Sequence, residues 1–231
     1  MRASRAARSS RGRDRKRQPI AALGAARDDG QTRLSAKARP GGAQPIALEI
    51  YLARHGETEW SLAGRHTGDT DLPLTARGEE RAALLRPRLA SLRFDAVYSS
   101  PMKRARRTAE LAGFTSPQIT DLLREVRYGD YEGLTSMQIH ESNPDWEVYL
   151  DGSPGGETPD QIYSRAQQFL LLVGKSGGRV LAFAHGHILR AVGAAWMRAD
   201  ISVAGGLMLD EATLSVLRDD GRRLVTLWNA P

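Results

Sequence analysis

Residues 46–56 read IALEIYLARHG, an apolar run that stops at an arginine, a histidine and a glycine. The run at 46–53 has the length and the aliphatic content of a buried strand. A strand that serves only to fill a core has no use for a cation and an imidazole at its end. The junction at 54–56 therefore indicates a site at the carboxyl end of this strand.

Two further predicted strands end in comparable chemistry. RVLAFA (179–184) is followed by His-Gly-His at 185–187, and FDAVYSS (94–100) is followed by a helix whose first turn carries Lys103 and Arg104. Ligands bind beyond the carboxyl ends of the strands in parallel sheets. If these strands are parallel neighbours, two histidines and two arginines converge at one edge of the sheet.

Strand-like and helix-like segments alternate from residue 46 onward. The predicted strands are 46–53, 94–100, 118–122 and 179–184; the predicted helices are 75–92, 100–112, 135–150 (as one or two short helices), 159–174 and 187–198; and 213–228 is predicted to form a hairpin. Thr75 and Ser100 are the predicted N-caps of the first two helices, and Pro87 is expected to kink the first. Largely apolar strands that alternate with helices predict an α/β fold, a three-layer sandwich whose mainly parallel central sheet is flanked by helices.

The charge of the chain is unevenly distributed. Of the 33 Lys and Arg, 12 fall within residues 1–45, together with 3 of the 27 Asp and Glu, so this segment carries a net +9 and the remainder a net −3. The basicity therefore belongs to the N-terminal segment, and a nucleic-acid partner is not expected except through residues 1–45.

Residues 1–45 are predicted to be a disordered, basic N-terminal extension, and residues 46–231 to be the folded domain. The extension is rich in Arg, Ala, Gly and Ser and has no aromatic residue to bury. Three interpretations stay open for it: a solvated segment without a specific role, an organellar presequence, and a basic arm for RNA or acidic surfaces. The presequence interpretation is weakened by Asp14, Asp28 and Asp29.

The composition also excludes several classes of site. The chain has no cysteine, which rules out disulfides, thiolate metal ligands and a cysteine nucleophile. No apolar run approaches the roughly 20 residues that a membrane-spanning helix needs. No membrane partner is expected; a cytoplasmic location is predicted, with an organellar one as the alternative, and a homo-oligomer is compatible with the sequence.

The converging residues suit a phosphate dianion. A glycine after each histidine lets backbone N–H groups approach a ligand, and helix N-termini add partial positive charge. A neutral imidazole is a good nucleophile toward phosphorus, and the leaving alkoxide then needs a proton from a carboxyl group. The stretch LREVRYGDYEG (123–133) offers Glu125, Asp130 and Glu132 for that task.

Six motifs in order resemble those of the histidine phosphatase superfamily, also called the phosphoglycerate mutase-like family. They are ARHGETEW, TGDTDLPLT, YSSPMKRARRTA, LLREVRYGDYEG, GSPGGET and FAHGH, and the resemblance covers about residues 46–200. It implies that His55 is transiently phosphorylated and that His185 completes the pocket. It also implies that Glu125 is the general acid and then the base that activates water.

The same resemblance implies a set of substrate contacts. Arg54 and Arg104 would bind the phosphoryl group, and Gly186 would lend its backbone N–H. Thr67 and Gly68 match the stretch that lines the substrate side. The resemblance implies no metal and no other cofactor.

Several features are closer to a phosphatase branch that includes acid phosphatases and sedoheptulose-1,7-bisphosphatase. Ser61 stands where the mutases usually carry asparagine, which puts that phosphate contact in doubt, and only about 21 residues separate YGDYEG from GGET. A short lid favours hydrolysis, because a mutase must exclude water. The sequence therefore predicts a metal-independent phosphomonoesterase acting on a small phosphorylated metabolite, with a sugar phosphate favoured.

Two other functions stay open, a phosphoglycerate mutase and a non-catalytic module that binds phosphate or RNA. Arg65, His66 and His187 could contact a second phosphate of the substrate, although a solvated or purely supporting role fits each of them as well. A metal site that combines His55 with the 185–187 pair is disfavoured, because no carboxylate motif at ligand spacing accompanies it.

Overall fold

The structure is a computed structural model that describes residues 48–231. Its six-stranded sheet has the order β3-β2-β4-β1-β5-β6. The strands are β1 Leu48–Arg54, β2 Ala96–Ser99, β3 Gln118–Ile119, β4 Arg179–Ala184, β5 Leu214–Asp219 and β6 Arg223–Ala230. The first four pair in parallel, whereas β5 is antiparallel to both β1 and β6. The predicted mainly parallel sheet and C-terminal hairpin are confirmed.

Eight α-helices surround the sheet in the described part of the chain. They are α1 Glu59–Leu62, α2 Ala76–Ala83, α3 Leu85–Leu89, α4 Lys103–Leu111, α5 Ser136–Ser142, α6 Val148–Asp151, α7 Pro159–Ser176 and α8 Gly186–Trp196. Short 3₁₀ helices lie at Asp121–Leu123, Gly129–Tyr131 and Ile201–Gly206.

Both faces of the sheet are buried. On β1, Ile50 and Leu52 belong to a core cluster with the apolar residues of α7 and α8, whereas Ala53 packs on the opposite face with Leu85 and Leu89 of α3. A strand that is covered on both sides needs apolar residues at successive positions, which explains the continuous apolar run. The three-layer α/β architecture is confirmed.

The first predicted helix is divided into two. Thr75 is its N-cap as expected, and its side chain accepts a hydrogen bond from the backbone N–H of Gly78. However, α2 ends at Ala83, and α3 begins at Leu85. Pro87 has no N–H to donate to the carbonyl of Ala83, and its ring crowds that carbonyl. The proline therefore interrupts the helix at the single residue Leu84, which keeps right-handed helical angles. The predicted disturbance by Pro87 is confirmed, and it is strong enough to divide the helix into two.

The prediction that Ser100 caps the next helix is wrong. The helix α4 begins at Lys103 after Met102, which makes no side-chain cap. The carboxylate of Asp71 accepts a hydrogen bond from the backbone N–H of Lys103 at 2.8 Å and so takes the capping place. The hydroxyl of Ser100 accepts from the backbone N–H of Met102 at 3.3 Å, ahead of the helix, and has a second partner described below.

Within residues 48–231, no helix is long and apolar enough to cross a membrane. The predicted disorder of residues 1–45, and the start of the domain at 46, lie outside the described residues.

Candidate active site

The carboxyl ends of β1 and β4 lie side by side, as the sequence predicted. Arg54 pairs with Ala184 in the sheet, and the backbone N–H of His55 donates to the carbonyl of Ala184 at 2.9 Å. The next residues therefore leave the sheet together, and the ring centroids of His55 and His185 are 5.1 Å apart. Because β2 pairs with β4 on the other side, α4 and Arg104 approach the same edge.

The imidazole of His55 is held in one tautomer. Its Nδ1 lies 2.7 Å from the carbonyl oxygen of Gly56, which can only accept, so Nδ1 carries the proton and Nε2 keeps a lone pair. Burial, followed by the charges of Arg104 and Arg54, holds the pKa of His55 well below its ordinary value. A neutral imidazole with a free Nε2 is chemically a nucleophile.

Two glycines fix the backbone under His55. A Cβ added to Gly56 would lie 2.3 Å from the carbonyl oxygen of Gly78, and one added to Gly78 would lie 2.1 Å from the carbonyl oxygen of Glu57. The backbone N–H of Gly56 donates to the hydroxyl of Thr108 on α4 at 3.0 Å. Only glycines permit α2 to approach the end of β1 this closely.

Arg104 and His185 form a buried pair behind His55. The Nε of Arg104 donates to Nδ1 of His185 at 3.1 Å, so the proton of His185 is on Nε2, which donates to the hydroxyl of Ser100 at 2.7 Å. Burial and the Arg104 charge lower the pKa of His185 well below its ordinary value. Both side chains are fully buried.

Arg54 is held by the loop that precedes β5. Its Nη2 donates to Oε1 of Glu211 at 2.8 Å, and its Nη1 donates to the carbonyl of Leu209. Its Nε is buried and has no hydrogen-bond partner among the described residues. An unsatisfied buried cationic donor beside His55 is suited to an anionic ligand.

A cavity of about 190 Å³, here called the inner cavity, opens over these groups. Six of the nine residues predicted for the site line it, namely Arg54, His55, Ser61, Thr67, Glu125 and Gly186. The other three, Gly68, Arg104 and His185, are not part of its lining. The structure thus brings the predicted set together but places Arg104 and His185 behind the surface that a ligand would meet.

Glu125 is the one member of the three candidate carboxylates that lines the inner cavity. Its carboxylate accepts hydrogen bonds from the backbone N–H groups of Val126, His187 and Ile188 at 2.9 to 3.0 Å. It therefore sits at the N-terminus of α8. Asp130 is exposed, and Glu132 contacts the loop at 67–70 instead.

A second cavity of about 420 Å³, the outer cavity, shares His66, His187 and Arg190 with the inner one. Trp146 and Tyr149 are among its other lining residues. Burial lowers the pKa of His66 to about 4 and that of His187 well below its ordinary value. The outer cavity is thus lined by imidazoles, aromatic rings, serine hydroxyls and the carboxylate of Glu147, with the guanidinium of Arg190 at the boundary.

Arg190 is a site residue that the sequence reasoning missed. Its Nε and Nη2 donate to the carbonyls of Ala204 and Gly205 at 2.8 and 2.7 Å, and the guanidinium lies over the ring of Tyr149. Its spacing three residues after His187 on a helix was the signal that could have found it. Glu211 was also missed, and no local pattern marks it.

Tyr128 is a buried residue that does more than fill the core. Burial raises the pKa of Tyr128 well above its ordinary value, and its hydroxyl shares a hydrogen bond of 2.6 Å with Nδ1 of His187. Within residues 48–231, no three His, Asp or Glu side chains are grouped so that they could hold a metal ion.

Comparisons with known proteins agree with this geometry. A family model described as the histidine phosphatase superfamily (branch 1) matches residues 50–231. An acid phosphatase of Mycobacterium tuberculosis is 42% identical over 171 residues, which is 72% of this chain and 84% of that protein. A sedoheptulose 1,7-bisphosphatase of Saccharomyces cerevisiae is 34% identical over 186 residues, which is 65% of this chain and 68% of that protein.

The fold has the same relatives. The solved structure of an open reading frame from Mycobacterium tuberculosis matches with a TM-score of 0.76 and 38% identity, covering 79% of this chain and 97% of that one. Proteins named probable phosphoglycerate mutase, from Salmonella strains, also match the sequence. The motif order, the converging strand ends and the family match agree: the chain belongs to the histidine phosphatase superfamily, branch 1, and is an enzyme of the phosphatase type.

Proposed function

We propose that the protein is a metal-independent phosphomonoesterase that hydrolyses a small phosphorylated metabolite through a phosphohistidine at Nε2 of His55. The observation that carries this proposal is the hydrogen bond from Nδ1 of His55 to the carbonyl of Gly56. It fixes the tautomer that leaves Nε2 free beside the inner cavity, while burial and two arginines keep the ring neutral.

The phosphoryl group of the substrate would occupy the inner cavity. Arg54 offers its buried, unpartnered Nε, and Gly186 offers its backbone N–H at the N-terminus of α8. A helix N-terminus carries partial positive charge that stabilises a phosphate dianion. Arg104 adds a buried positive charge from behind His55 without needing direct contact.

The first chemical step transfers the phosphoryl group to the enzyme. The lone pair on Nε2 of His55 attacks phosphorus, a P–N bond forms, and the P–O bond to the leaving alcohol breaks. Glu125 gives its proton to the leaving oxygen, so the leaving group departs as a neutral alcohol and the phosphoryl group stays on His55. The three N–H groups that bind Glu125 hold its carboxyl group at the cavity wall throughout.

The second step returns the enzyme to its starting state. Glu125, now a carboxylate, takes a proton from a water molecule whose oxygen attacks phosphorus. The P–N bond breaks, inorganic phosphate forms, and His55 regains its Nε2 lone pair. The sum is one ester and one water converted into one alcohol and one phosphate, with no metal required.

The outer cavity supports a polar metabolite as the leaving group. It is about 420 Å³ in volume and mixes hydroxyl, imidazole, aromatic and carboxylate groups. Arg65, His66 and His187 line the inner cavity, and the two histidines line the outer cavity as well, so the predicted contacts to a second polar or anionic group are compatible with their positions. A sugar phosphate is the substrate class that best fits this mixture.

The test is phosphate release by the full chain in EDTA from four substrates: sedoheptulose-1,7-bisphosphate, fructose-1,6-bisphosphate, 3-phosphoglycerate and an aryl phosphate. Release that survives EDTA, together with acid-labile, base-stable labelling of His55, supports the proposal. Loss of turnover in EDTA that a divalent metal restores would refute metal independence. No release from any of the four would favour a binding module instead.

The second candidate is a phosphoglycerate mutase. The match to probable phosphoglycerate mutases favours it, since the same pocket would serve both reactions. The short segment that carries α5 and α6 argues against it, because it forms only two short helices beside the outer cavity. Conversion of 3- to 2-phosphoglycerate faster than phosphate release would establish the mutase.

A further inference from the structure

Glu132 links a loop beside the active site to the element that carries the 3₁₀ helix at Gly129–Tyr131. Its carboxylate accepts the backbone N–H of Gly68 through both oxygens, at 2.9 and 3.0 Å, and that of Thr70 at 3.0 Å. A Cβ added to Gly68 would lie 2.5 Å from the carbonyl oxygen of Val126. The loop is therefore held closely against this segment by a charged acceptor.

The carbonyl groups of the same loop bind Arg104. Its Nη1 donates to the carbonyl of Thr70 at 2.9 Å, and its Nη2 donates to those of Thr67 and Gly68 at 3.0 and 3.4 Å. Among the described residues, Arg104 has no carboxylate within salt-bridge distance. Its guanidinium is thus positioned by backbone carbonyls, whose own positions depend on Glu132.

The negative charge of Glu132 also acts on Arg104 directly. Burial lowers the pKa of Arg104, and the charges of Glu125, Asp71 and Glu132 oppose that shift. Glu132 thus favours the charged guanidinium that the site uses, in addition to holding the loop.

Arg104 in turn determines the state of His185. Its Nε donates to Nδ1 of His185, which leaves the proton on Nε2 and directs it to Ser100. A displaced Arg104 would free Nδ1 to take the proton, and the ring would lose this single tautomer. Glu132 and Arg104 thus bind the same loop, and a series of hydrogen bonds runs from Glu132 through this loop and Arg104 to His185.

We propose that Glu132 is a positioning residue for catalysis: through the loop at 67–70 it holds Arg104, and through Arg104 it fixes the tautomer of His185. This inference rests on the proposed function for its effect on turnover, but its effect on His185 does not depend on any reaction. Glu132 itself does not touch the inner cavity.

The experiment compares E132A, E132Q and D130N in the full chain. Alanine removes all acceptors, glutamine keeps one oxygen for the two N–H groups, and D130N removes an exposed carboxylate two residues away. For each, kcat, KM and the thermal midpoint are measured, and the ¹⁵N spectrum of the histidines is recorded without substrate. The chain has five histidines, so a spectrum of H185N assigns the signal of His185.

In E132A, kcat is expected to fall about 100-fold, as a misplaced supporting group does, and the His185 signal is expected to lose its pure Nε2–H pattern. E132Q is expected to lose about tenfold in kcat, because a neutral acceptor binds N–H groups more weakly, and to keep that pattern. D130N is expected to match the wild type in every readout.

An E132A variant with wild-type kcat, or with an unchanged His185 pattern, would overturn the proposal. If E132A does not fold, E132Q decides alone: a kcat equal to that of D130N would overturn the proposal, and the tenfold loss supports it. If the wild type releases no phosphate at all, the proposed function fails, while the ¹⁵N pattern still tests the positioning.

Discussion

Arg54 and Glu211 form an ion pair of 2.8 Å at the edge of the inner cavity, although the arginine is proposed to bind phosphate. The two side chains are about equally exposed, at 19% and 20%. The carboxylate orients the guanidinium and, at the same time, repels an incoming dianion. Glu211 therefore lowers the affinity of the site for phosphate, but it fixes the orientation of Arg54.

The first prediction concerns this pair. E211Q keeps an oxygen that can accept from Arg54 but removes the negative charge. Inorganic phosphate should inhibit this variant about fivefold more tightly than the wild type, because one nearby unit charge no longer opposes it. Competitive inhibition constants measure this change. D210N is the matched control, since Asp210 binds Asn229 rather than Arg54, and a similar gain in that variant would contradict the assignment.

The second prediction concerns the nucleophile. H55N should lose turnover about a thousandfold or more, while it still folds, because the asparagine amide can donate to the carbonyl of Gly56. Steady-state rates and the thermal midpoint together test this. H140N removes an imidazole from the outer cavity rather than the inner one, so His55 of this variant should still be labelled by substrate phosphate even if KM changes. Appreciable labelling of H55N by substrate phosphate would contradict the covalent step.

The third prediction separates the two roles of Glu125. E125Q cannot give a proton to a leaving alkoxide, so an alkyl phosphate should lose about 10² to 10⁴ in rate. An aryl phosphate needs little protonation of its leaving group and should still transfer its phosphoryl group to His55. Hydrolysis of that intermediate should then be slow and produce a burst of phenol in rapid-mixing experiments. Equal losses for both substrates, without a burst, would exclude the acid role.

The fourth prediction concerns stability against pH. Burial holds the pKa values of His55, His185 and His187 well below the ordinary range, and that of His66 at about 4. Below about pH 6.5 the unfolded chain binds protons that the folded chain does not, so the free energy of unfolding decreases as the pH falls from 6.5. Above that pH the rings are neutral in both states, and these histidines cause no such loss. Each contributes a slope of up to about 1.4 kcal/mol per pH unit in the free energy of unfolding.

Denaturant unfolding between pH 7 and pH 5 measures this slope. H66Q should reduce the slope of the free energy of unfolding against pH by up to the contribution of one histidine. S136A is the matched control, because it removes the hydroxyl 3.3 Å from His66 but keeps the imidazole. A free energy of unfolding that stays constant down to pH 5 would contradict the prediction.

The site was predictable from the sequence where strand geometry determines it. His55 and His185 follow two buried strands, and parallel neighbours bring such ends together. The same reasoning could not place Arg104 behind His185, since its partners are carbonyls at 67–70 in a loop without periodicity. The contact of Glu211 with Arg54 could not be predicted either, because Glu211 lies in a loop 157 positions away in the sequence.

The misassigned start of α4 has a related cause. Local capping rules favour Ser100, but its hydroxyl binds His185, the residue after β4. The cap of α4 is supplied instead by Asp71, from a distant loop. A cap that comes from a residue distant in sequence cannot be predicted from a local pattern. Pro87 was recognised as a disruption, and only the extent of its effect on the preceding turn was underestimated.

The contact between Gly56 and Gly78 has a consequence for how this enzyme could be changed in the laboratory. Each glycine faces the other segment's backbone rather than a side chain, so no second substitution can make room for a first. A directed-evolution library should therefore return no viable replacement at either position, alone or in combination. The outer cavity is lined largely by side chains, several of them exposed, and these can be exchanged freely. Substitutions in the outer cavity should thus change the preference for the leaving group, while the chemical step at His55 stays the same.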